Sequence, residues 1–187
     1  MSTPTEWYRD QYLVSTSPSL LQPAAVSEAF KSDSMYWAKP IGEALVKKML
    51  EKSLCFGLYE LPSSTLSIAG PQAPAQSVDL PLLIVFLGKS GPRQIGLARI
   101  ITDEVTFAYL TDVYVLEEFQ KKGLGTWLIE CVEVHVMKWP DLRQIMLIAS
   151  HKNKFYEDKL GVKPFPQGVD NGPSIFTRKG LGSVFLD

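Results

Sequence analysis

Two glycines and two lysines stand close together in the segment QKKGLGT, residues 120–126. The apolar run before this segment predicts a strand, and the apolar spacing over residues 124–138 predicts a helix. Unpaired N–H groups at a helix start attract anions, and glycines let a ligand approach the backbone closely. Lys121 and Lys122 add positive charge. The segment therefore predicts a pyrophosphate site.

Other chemical patterns do not fit these residues. A P-loop requires G-x-x-x-x-G-K-[ST], which the chain lacks, and a dinucleotide fingerprint requires a glycine where Leu128 stands. A Ser/His/Asp hydrolase is not indicated, because the chain has two histidines and no nucleophile elbow. The alternative interpretation of the segment is structural, as a helix entered through a glycine turn with solvated lysines.

Length and composition limit the class of protein. The chain has 187 residues, enough for one domain, and its net charge of −1 gives no general attraction to nucleic acid. Its longest apolar run, residues 80–87, is shorter than the roughly 20 residues that span a bilayer, and no targeting signal is recognised. Cys55 and Cys131 lie in apolar segments without metal-ligand spacing. We expect no metal, no membrane partner and a reducing compartment, the cytoplasm or the nucleus.

Strands and helices are mixed along the chain, which favours a sheet covered by helices. The segment 62–79 is rich in Pro, Ser, Ala and Gln, and it predicts a mobile surface insertion in a single domain of residues 1–187. Residues 89–92 predict a hairpin turn between two of the strands. Strands are predicted at residues 11–16, 54–61, 80–88, 93–102, 105–115, 144–149 and 174–179, and helices within 17–34, 39–53, 124–138 and 153–160.

The stretch DVYVLEEFQKKGLGTWLIE, residues 112–130, resembles the cofactor segment of the GNAT superfamily of N-acetyltransferases, in which a strand, a Q/R-x-x-G-x-G/A turn and a helix follow one another. The segments YRDQYLVST, LCFGLYE, IGLARIITDEVTFAYLTDVYV and KFYEDKLGV fall in the family's order, so the likeness extends from about residue 8 to residue 177. The chain most resembles the small uncharacterised bacterial and fungal members. The resemblance implies an α/β (α+β) fold with a mixed, mostly antiparallel sheet, splayed at the acetyl-CoA site and covered by helices on both faces.

The resemblance also implies roles for individual residues. Backbone amides of the glycine turn would hold the pyrophosphate of acetyl-CoA, and main-chain groups of the preceding strand would pair with the pantetheine arm. Tyr156 stands where the family has a tyrosine acid that protonates the departing thiolate; its alternative role is an aromatic anchor for a short helix. Many members have an asparagine where this chain has Ala149, and the most similar subgroup has a histidine where it has Asn153, which we assign to the cofactor site. The full cofactor set is Val113, Val115, Gln120, Lys121, Lys122, Gly123, Leu124, Gly125, Thr126 and Asn153.

Deprotonation of the acceptor is the harder step of such a transfer. An amine with a pKa of about 10.4 is neutral in roughly one of 10³ to 10⁴ molecules at pH 7. Histone-type members place a glutamate base where this chain has Tyr109, and the nearby carboxylates are Asp103, Glu104 and Asp112. We prefer Asp112 as the catalytic base, acting directly or through water. The alternative is a structural carboxylate that accepts backbone hydrogen bonds at a strand irregularity.

These features predict an acetyl-CoA-dependent N-acetyltransferase that transfers an acetyl group directly to a primary amine in a ternary complex. The acceptor is either a small molecule or the lysine or N-terminal amine of a peptide. A different class stays open, namely a non-catalytic acyl-CoA-binding module that acts as a sensor or docks a partner. The resemblance also admits a homodimer, because exposed apolar sheet edges support dimers in this superfamily.

Overall fold

The structure is a computed structural model that describes residues 5–35, 37–62, 91–149 and 153–164. Within these ranges six strands form one sheet, in which each strand lies beside the next along the chain. The first five strands are antiparallel neighbours, whereas the sixth runs parallel to the fifth. The strands are β1 (Glu6–Arg9), β2 (Tyr12–Ser15), β3 (Leu54–Glu60), β4 (Arg93–Thr102), β5 (Phe107–Val115) and β6 (Gln144–Leu147).

The described helices cover both faces of this sheet. Helices α1 (Pro23–Ala29) and α2 (Glu43–Glu51) lie on one face, where Val26 and Val46 share a buried cluster with Leu97 of β4. Helices α3 (Leu124–Val136) and α4 (Asn153–Leu160) lie on the other, where they join the core that contains Phe56 and Leu110. We call these the α1–α2 face and the α3 face. The mixed, mostly antiparallel sheet with helices on both faces is confirmed.

The alternation of burial along each strand explains this division. Successive side chains of a strand point to opposite faces, so one strand supplies both cores. On β4, for example, Leu97 packs on the α1–α2 face and Ala98 on the α3 face. Helix α3 packs on the sheet through its apolar residues. Leu128 and Val132, one turn apart, both belong to the core of this face.

The sheet opens between its last two strands. Only the first half of β5, Phe107–Leu110, pairs with β6, and the remainder of β5 continues without a β6 neighbour. A β-bulge lies at this point, because the register with β4 shifts between Leu97 and Arg99 and Asp112 has a φ of 48°. A bulge bends its strand and changes the direction of the side chains that follow. The expected splay of the sheet is therefore present in the described strands.

The main difference from the sequence-based elements is at the N-terminus. Residues 11–16 were expected to be the first strand, but β1 precedes it and pairs with β2 across the two-residue turn Asp10–Gln11. The run EWYR is short and half charged, so its strand state depends on pairing with β2. The predicted insertion at residues 62–79, apart from residue 62, lies outside the described residues, as do the predicted strands at 80–88 and 174–179 and the first half of the predicted hairpin turn at 89–92. Over the part of the chain that is described, no helix is long and apolar enough to cross a membrane.

Candidate active site

A cavity of about 800 Å³ lies where β5 and β6 separate. The second half of β5 forms one wall, and the end of β6 and the start of α4 form the opposite wall. The turn before α3 closes one end. Ten of the twelve sequence-predicted site residues line this cavity, namely Asp112, Val113, Val115, Gln120, Lys121, Gly123, Leu124, Gly125, Thr126 and Tyr156.

Two predicted residues are not among the lining side chains. Lys122 is exposed, and its Nζ lies 4.8 Å from the centre of the Phe119 ring. Asn153 is the first residue of α4, but its side chain lies outside what the structure describes. Both residues keep their assignments as predictions, Lys122 through its backbone amide.

The turn before α3, residues 120–126, leaves a set of backbone donors available, and we call it the phosphate cradle. Lys121 and Gly123 both have left-handed backbone geometry, with φ values of 62° and 74°. Gly123 occupies the N-cap position, and no side chain caps the helix. The first N–H groups of a helix have no acceptor within the helix itself, so the amides of Leu124 to Thr126 can donate to a ligand. Gln120 links the cradle to the end of β5, because its Nε2 donates a hydrogen bond to the Val115 carbonyl at 2.9 Å.

Gly125 is a glycine that the packing of the cradle does not require. A β-carbon at this position would meet only the Val115 Cγ2 atom, at an ordinary contact distance of 3.8 Å. Its φ is not positive, so the backbone does not require glycine either. The missing side chain therefore leaves space at the start of α3 that a ligand group can enter. Such a surface fits the diphosphate of acetyl-CoA, which binds helix-end amides through its oxygens.

Tyr156 lies on the wall opposite β5. Its ring is half-buried and meets the ring of Phe155 edge to face, with the ring centres 5.1 Å apart. Both rings line the cavity and pack against the core of the α3 face. The structure thus places the phenol at the opening of the sheet, where the sequence predicted an acid.

Asp112 is a buried carboxylate with a charged partner. Arg99 donates from Nε to Asp112 Oδ2 at 2.7 Å and from Nη1 to the Ser53 hydroxyl at 3.0 Å. The Thr111 hydroxyl donates to the second oxygen, Oδ1, at 3.4 Å. Side-chain partners, rather than the backbone donors considered from the sequence, therefore hold this carboxylate at the bulge.

The tyrosines around Asp112 are held in their neutral form. Burial raises the pKa of Tyr109 and Tyr114, and the negative charge of Asp112 raises both further. The guanidinium of Arg99 opposes this effect at Tyr109. Since both side chains line the cavity, they offer hydroxyl groups that remain protonated at neutral pH.

The other two carboxylates considered from the sequence do not line the cavity. Asp103 accepts hydrogen bonds from the backbone N–H groups of Val105, Thr106 and Phe107 in the turn between β4 and β5. The hydrogen bond from the Thr106 hydroxyl, followed by these backbone bonds, holds the pKa of Asp103 well below its usual range. Glu104 is exposed in the same turn. Of the three candidates, Asp112 alone lies at the site.

Sequence reasoning missed the part of the cavity on the α1–α2 face. Met35 and Trp37, from the connection between α1 and α2, line it together with Tyr114. Met35 belongs to the buried cluster of that face, and Trp37 and Tyr114 pack against it. No local motif marks Met35 or Trp37, because their place at the site results from the packing of α1 and α2. Only the alternation of β5 could have indicated Tyr114.

Comparisons with known proteins agree with this geometry. Residues 71–162 match the model of the acetyltransferase (GNAT) family. A protein of the fungus Gibberella zeae named "Putative acetyltransferase" is 37% identical over 98% of this chain and 97% of its own length.

Solved structures share the fold. A Xanthomonas campestris structure described as a "putative acetyltransferase belonging to the gnat family" is 30% identical, covers 89% of this chain and 93% of its own, and has a TM-score of 0.60. A structure from Deinococcus radiodurans with the name "putative acetyltransferase" is 16% identical, covers 91% of this chain and 90% of its own, and with its TM-score of 0.55 supports the fold alone. The open sheet, its cavity and these similarities agree, and the chain belongs to the acetyltransferase (GNAT) family.

Proposed function

We propose that this protein is an acetyl-CoA-dependent N-acetyltransferase that transfers the acetyl group directly to a primary amine. The observation that carries the proposal is the uncapped start of α3, which opens onto the cavity where β5 and β6 separate. Membership of an acetyltransferase family supports acetyl transfer as the reaction. The acceptor is a small amine or the lysine or N-terminal amine of a peptide.

On the cofactor side, the phosphate cradle holds the diphosphate through its backbone amides. Lys121 and Lys122 add positive charge beside the cradle, which attracts the negatively charged diphosphate. The main chain of Val113 and Val115 lies beyond the paired part of β5, so strand-like pairing with the amide-containing pantetheine arm can take the place of a β6 neighbour. Asn153, at the start of α4, belongs to the same assignment.

On the acceptor side, the reaction forms a bond between the amine nitrogen and the acetyl carbon and breaks the carbon–sulfur bond. Asp112 accepts the proton that the amine loses, directly or through water. Tyr156 donates a proton to the departing thiolate, a contribution of about 10²-fold, because a thiol of pKa about 8.5 already leaves reasonably well. The position of both side chains on one cavity supports this division of roles.

Arg99 supplies the orientation of the proposed base. Its bond to Oδ2 fixes the carboxylate at the bulge, while Oδ1 faces the weaker donor Thr111. We therefore assign Oδ1 as the oxygen that accepts the proton from the amine. The same ion pair is compatible with a structural role for Asp112, and an Asp112→Asn variant would separate the two roles.

The test is a transfer assay with purified protein, acetyl-CoA and a panel of amines that includes monoamines, polyamines and lysine peptides. We expect amine-dependent release of free thiol and an acetylated product identified by its mass. Tyr156→Phe should lower kcat more than it changes acetyl-CoA affinity. Tyr8→Phe is the matched control, since Tyr8 is 52% exposed and does not line the cavity.

The outcomes discriminate between the proposed classes. Acetyl-CoA binding without transfer to any amine would favour the non-catalytic acyl-CoA-binding module over the enzyme. No acetyl-CoA binding in the millimolar range would reject both. Equal kcat for Tyr156→Phe and the unmodified enzyme would make Tyr156 an aromatic anchor of α4 and would leave the thiolate without a protein acid.

A further inference from the structure

Arg9 brings a third cation to the phosphate cradle from the opposite end of the sheet. It is the last residue of β1, and the turn Asp10–Gln11 follows it. Its Nη2 and Nη1 atoms lie 3.6 and 3.8 Å from the point where a β-carbon of Gly123 would stand. Its Cζ lies 5.9 Å from the centre of the Trp127 ring, so the guanidinium rests against the first turn of α3.

This position is electrostatically unfavourable without an anion. The start of a helix carries a partial positive charge, which repels a nearby cation. Helix α3 has no acidic residue in its first turn to offset this charge. In the described ranges no carboxylate lies within 4.0 Å of Arg9, whereas Arg93 and Arg99 each have one.

Lys122 of the cradle differs from Arg9 in having a carboxylate close to its charge. Both cations lie over an aromatic ring, Lys122 over Phe119 and Arg9 over Trp127. A backbone hydrogen bond lowers the pKa of Glu118, and the charges of Arg93 and Lys122 lower it further. Part of the positive charge of Lys122 is thus already matched within the protein. Arg9 has no such carboxylate within 4.0 Å among the described residues, and it is exposed, so an incoming anion can meet its guanidinium.

We propose that Arg9 binds a phosphate group of acetyl-CoA and thereby completes the phosphate cradle from β1. This inference rests on the proposed function, because it concerns the same substrate. A planar guanidinium presents two parallel N–H donors that match phosphate oxygens, and its contact with Trp127 limits its orientations. Arg9 is absent from the lining of the 800 Å³ cavity and reaches the cradle from the side of Gly123, so it would meet a phosphate group at the edge of the cradle.

The experiment measures binding of three ligands by calorimetry: acetyl-CoA, 3′-dephospho-acetyl-CoA and S-acetylpantetheine, which lacks all phosphates. The proteins are the unmodified chain, Arg9→Ala, Arg9→Lys and the control Arg143→Ala. Arg143 is an exposed arginine in the connection before β6, outside the cavity lining. Each variant is checked for an unchanged melting temperature.

We expect Arg9→Ala to bind acetyl-CoA about tenfold more weakly, as for one charge-assisted hydrogen bond near the surface. Arg9→Lys should recover part of this loss, and Arg143→Ala should bind normally. In transfer assays, the KM for acetyl-CoA should rise in Arg9→Ala while kcat stays the same. If the loss persists with the dephospho ligand, Arg9 contacts the diphosphate; if it disappears, Arg9 contacts the 3′-phosphate. Either result supports the inference.

Two results would overturn it. Arg9→Ala could bind acetyl-CoA as tightly as the unmodified chain, which would leave the proposed function intact and remove Arg9 from the site. Alternatively, it could lose the same factor toward S-acetylpantetheine, which would show a packing role rather than a phosphate contact. An unmodified chain that binds no acetyl-CoA would overturn the proposed function together with this inference.

Discussion

Tyr59 carries a polar group that the described residues leave unsatisfied. Its side chain is fully buried beside Leu13, Leu20 and Leu61, and its hydroxyl has no hydrogen-bond partner within the described ranges. A buried hydroxyl without a partner costs about 1–3 kcal/mol. We expect Tyr59→Phe to raise the free energy of unfolding by about 1 kcal/mol, measured by urea denaturation. A variant less stable than the original would mean that the hydroxyl is hydrogen-bonded in solution.

Asp112 has two proposed roles that one substitution can separate. Asp112→Asn keeps the size of the side chain but removes its capacity to accept a proton. If Asp112 is the base, kcat should fall by about 10²- to 10⁴-fold while acetyl-CoA affinity changes little. The remaining activity should increase about tenfold per pH unit between pH 7 and 9, because it then follows the fraction of free amine.

The control for this variant concerns stability. Removing one partner of a buried ion pair destabilises a protein by about 3–5 kcal/mol, so Arg99→Ala gives the scale of purely structural damage. Asp112→Asn also leaves Arg99 without its counter-charge, but its amide oxygen can still accept from Arg99 and from the Thr111 hydroxyl, so it should melt above Arg99→Ala. Full activity in a folded Asp112→Asn protein would assign Asp112 to structure alone.

At the scale of elements, a single substitution at the start of α3 should affect folding and acetyl-CoA binding in opposite directions. Gly125 lies in the first turn of the helix, where a carboxylate stabilises the helix by about 0.3–1 kcal/mol. The same carboxylate would occupy the phosphate cradle and repel the substrate. Gly125→Asp should therefore keep or raise the melting temperature and abolish acetyl-CoA binding, measured by calorimetry.

Gly125→Ala is the matched variant without charge. A β-carbon fits the protein here, so it should fold normally and bind acetyl-CoA more weakly than the original but more tightly than Gly125→Asp. Normal affinity in Gly125→Asp would contradict the assignment of the cradle to the diphosphate.

The elements also show what the sequence could predict. The unit of β5, turn and α3 was predictable because its signals are local: an apolar strand, two glycines and a helical apolar spacing within residues 105–138. The covered sheet and its opening were expected through the resemblance that this unit carries. The place of Asp112 in a bulge and its bond to Arg99 depend on the register between β4 and β5, which no short pattern encodes.

The same limit applies to contacts between distant segments. Arg9 reaches Gly123 because β1 joins the sheet and α3 crosses it, so two residues far apart in the chain become neighbours. Trp37 reaches the cavity through the packing of the α1–α2 face. Such residues have no sequence signal of their own, and only the assembled fold identifies them.

In the whole molecule, the candidate active site lies between the two hydrophobic clusters on the two faces of the sheet. The core of the α3 face supports the phosphate cradle and Tyr156, and the cluster of the α1–α2 face supports Trp37 and Tyr114. Because both clusters meet the cavity, its lining comes from both faces of the sheet. The homodimer and the cytoplasmic or nuclear location stay predictions from the sequence.

His135 makes the stability of the folded protein depend on pH. It is half-buried on α3, with its ring centre 6.1 Å from that of Trp7, 5.4 Å from Phe56 and 6.3 Å from Trp139. Burial lowers the pKa of His135, the charge of Lys138 lowers it further, and Glu104 opposes the shift. The unfolded chain, with a histidine pKa of about 6.5, therefore binds a proton more readily than the folded protein.

Stability should accordingly fall as the pH decreases below about 6.5, until the folded protein is also protonated, whereas above pH 7 His135 has no effect of this kind. The measurement compares melting temperatures at pH 7.5 and 5.5 for the original protein and His135→Gln. We expect a smaller decrease in the variant. Asp103, whose pKa is lowered, loses its contribution to stability only below about pH 4, which is outside the range from pH 5.5 to 7.5. An equal decrease in both proteins would show that His135 does not control the response, because the substitution removes the imidazole and leaves every carboxylate in place.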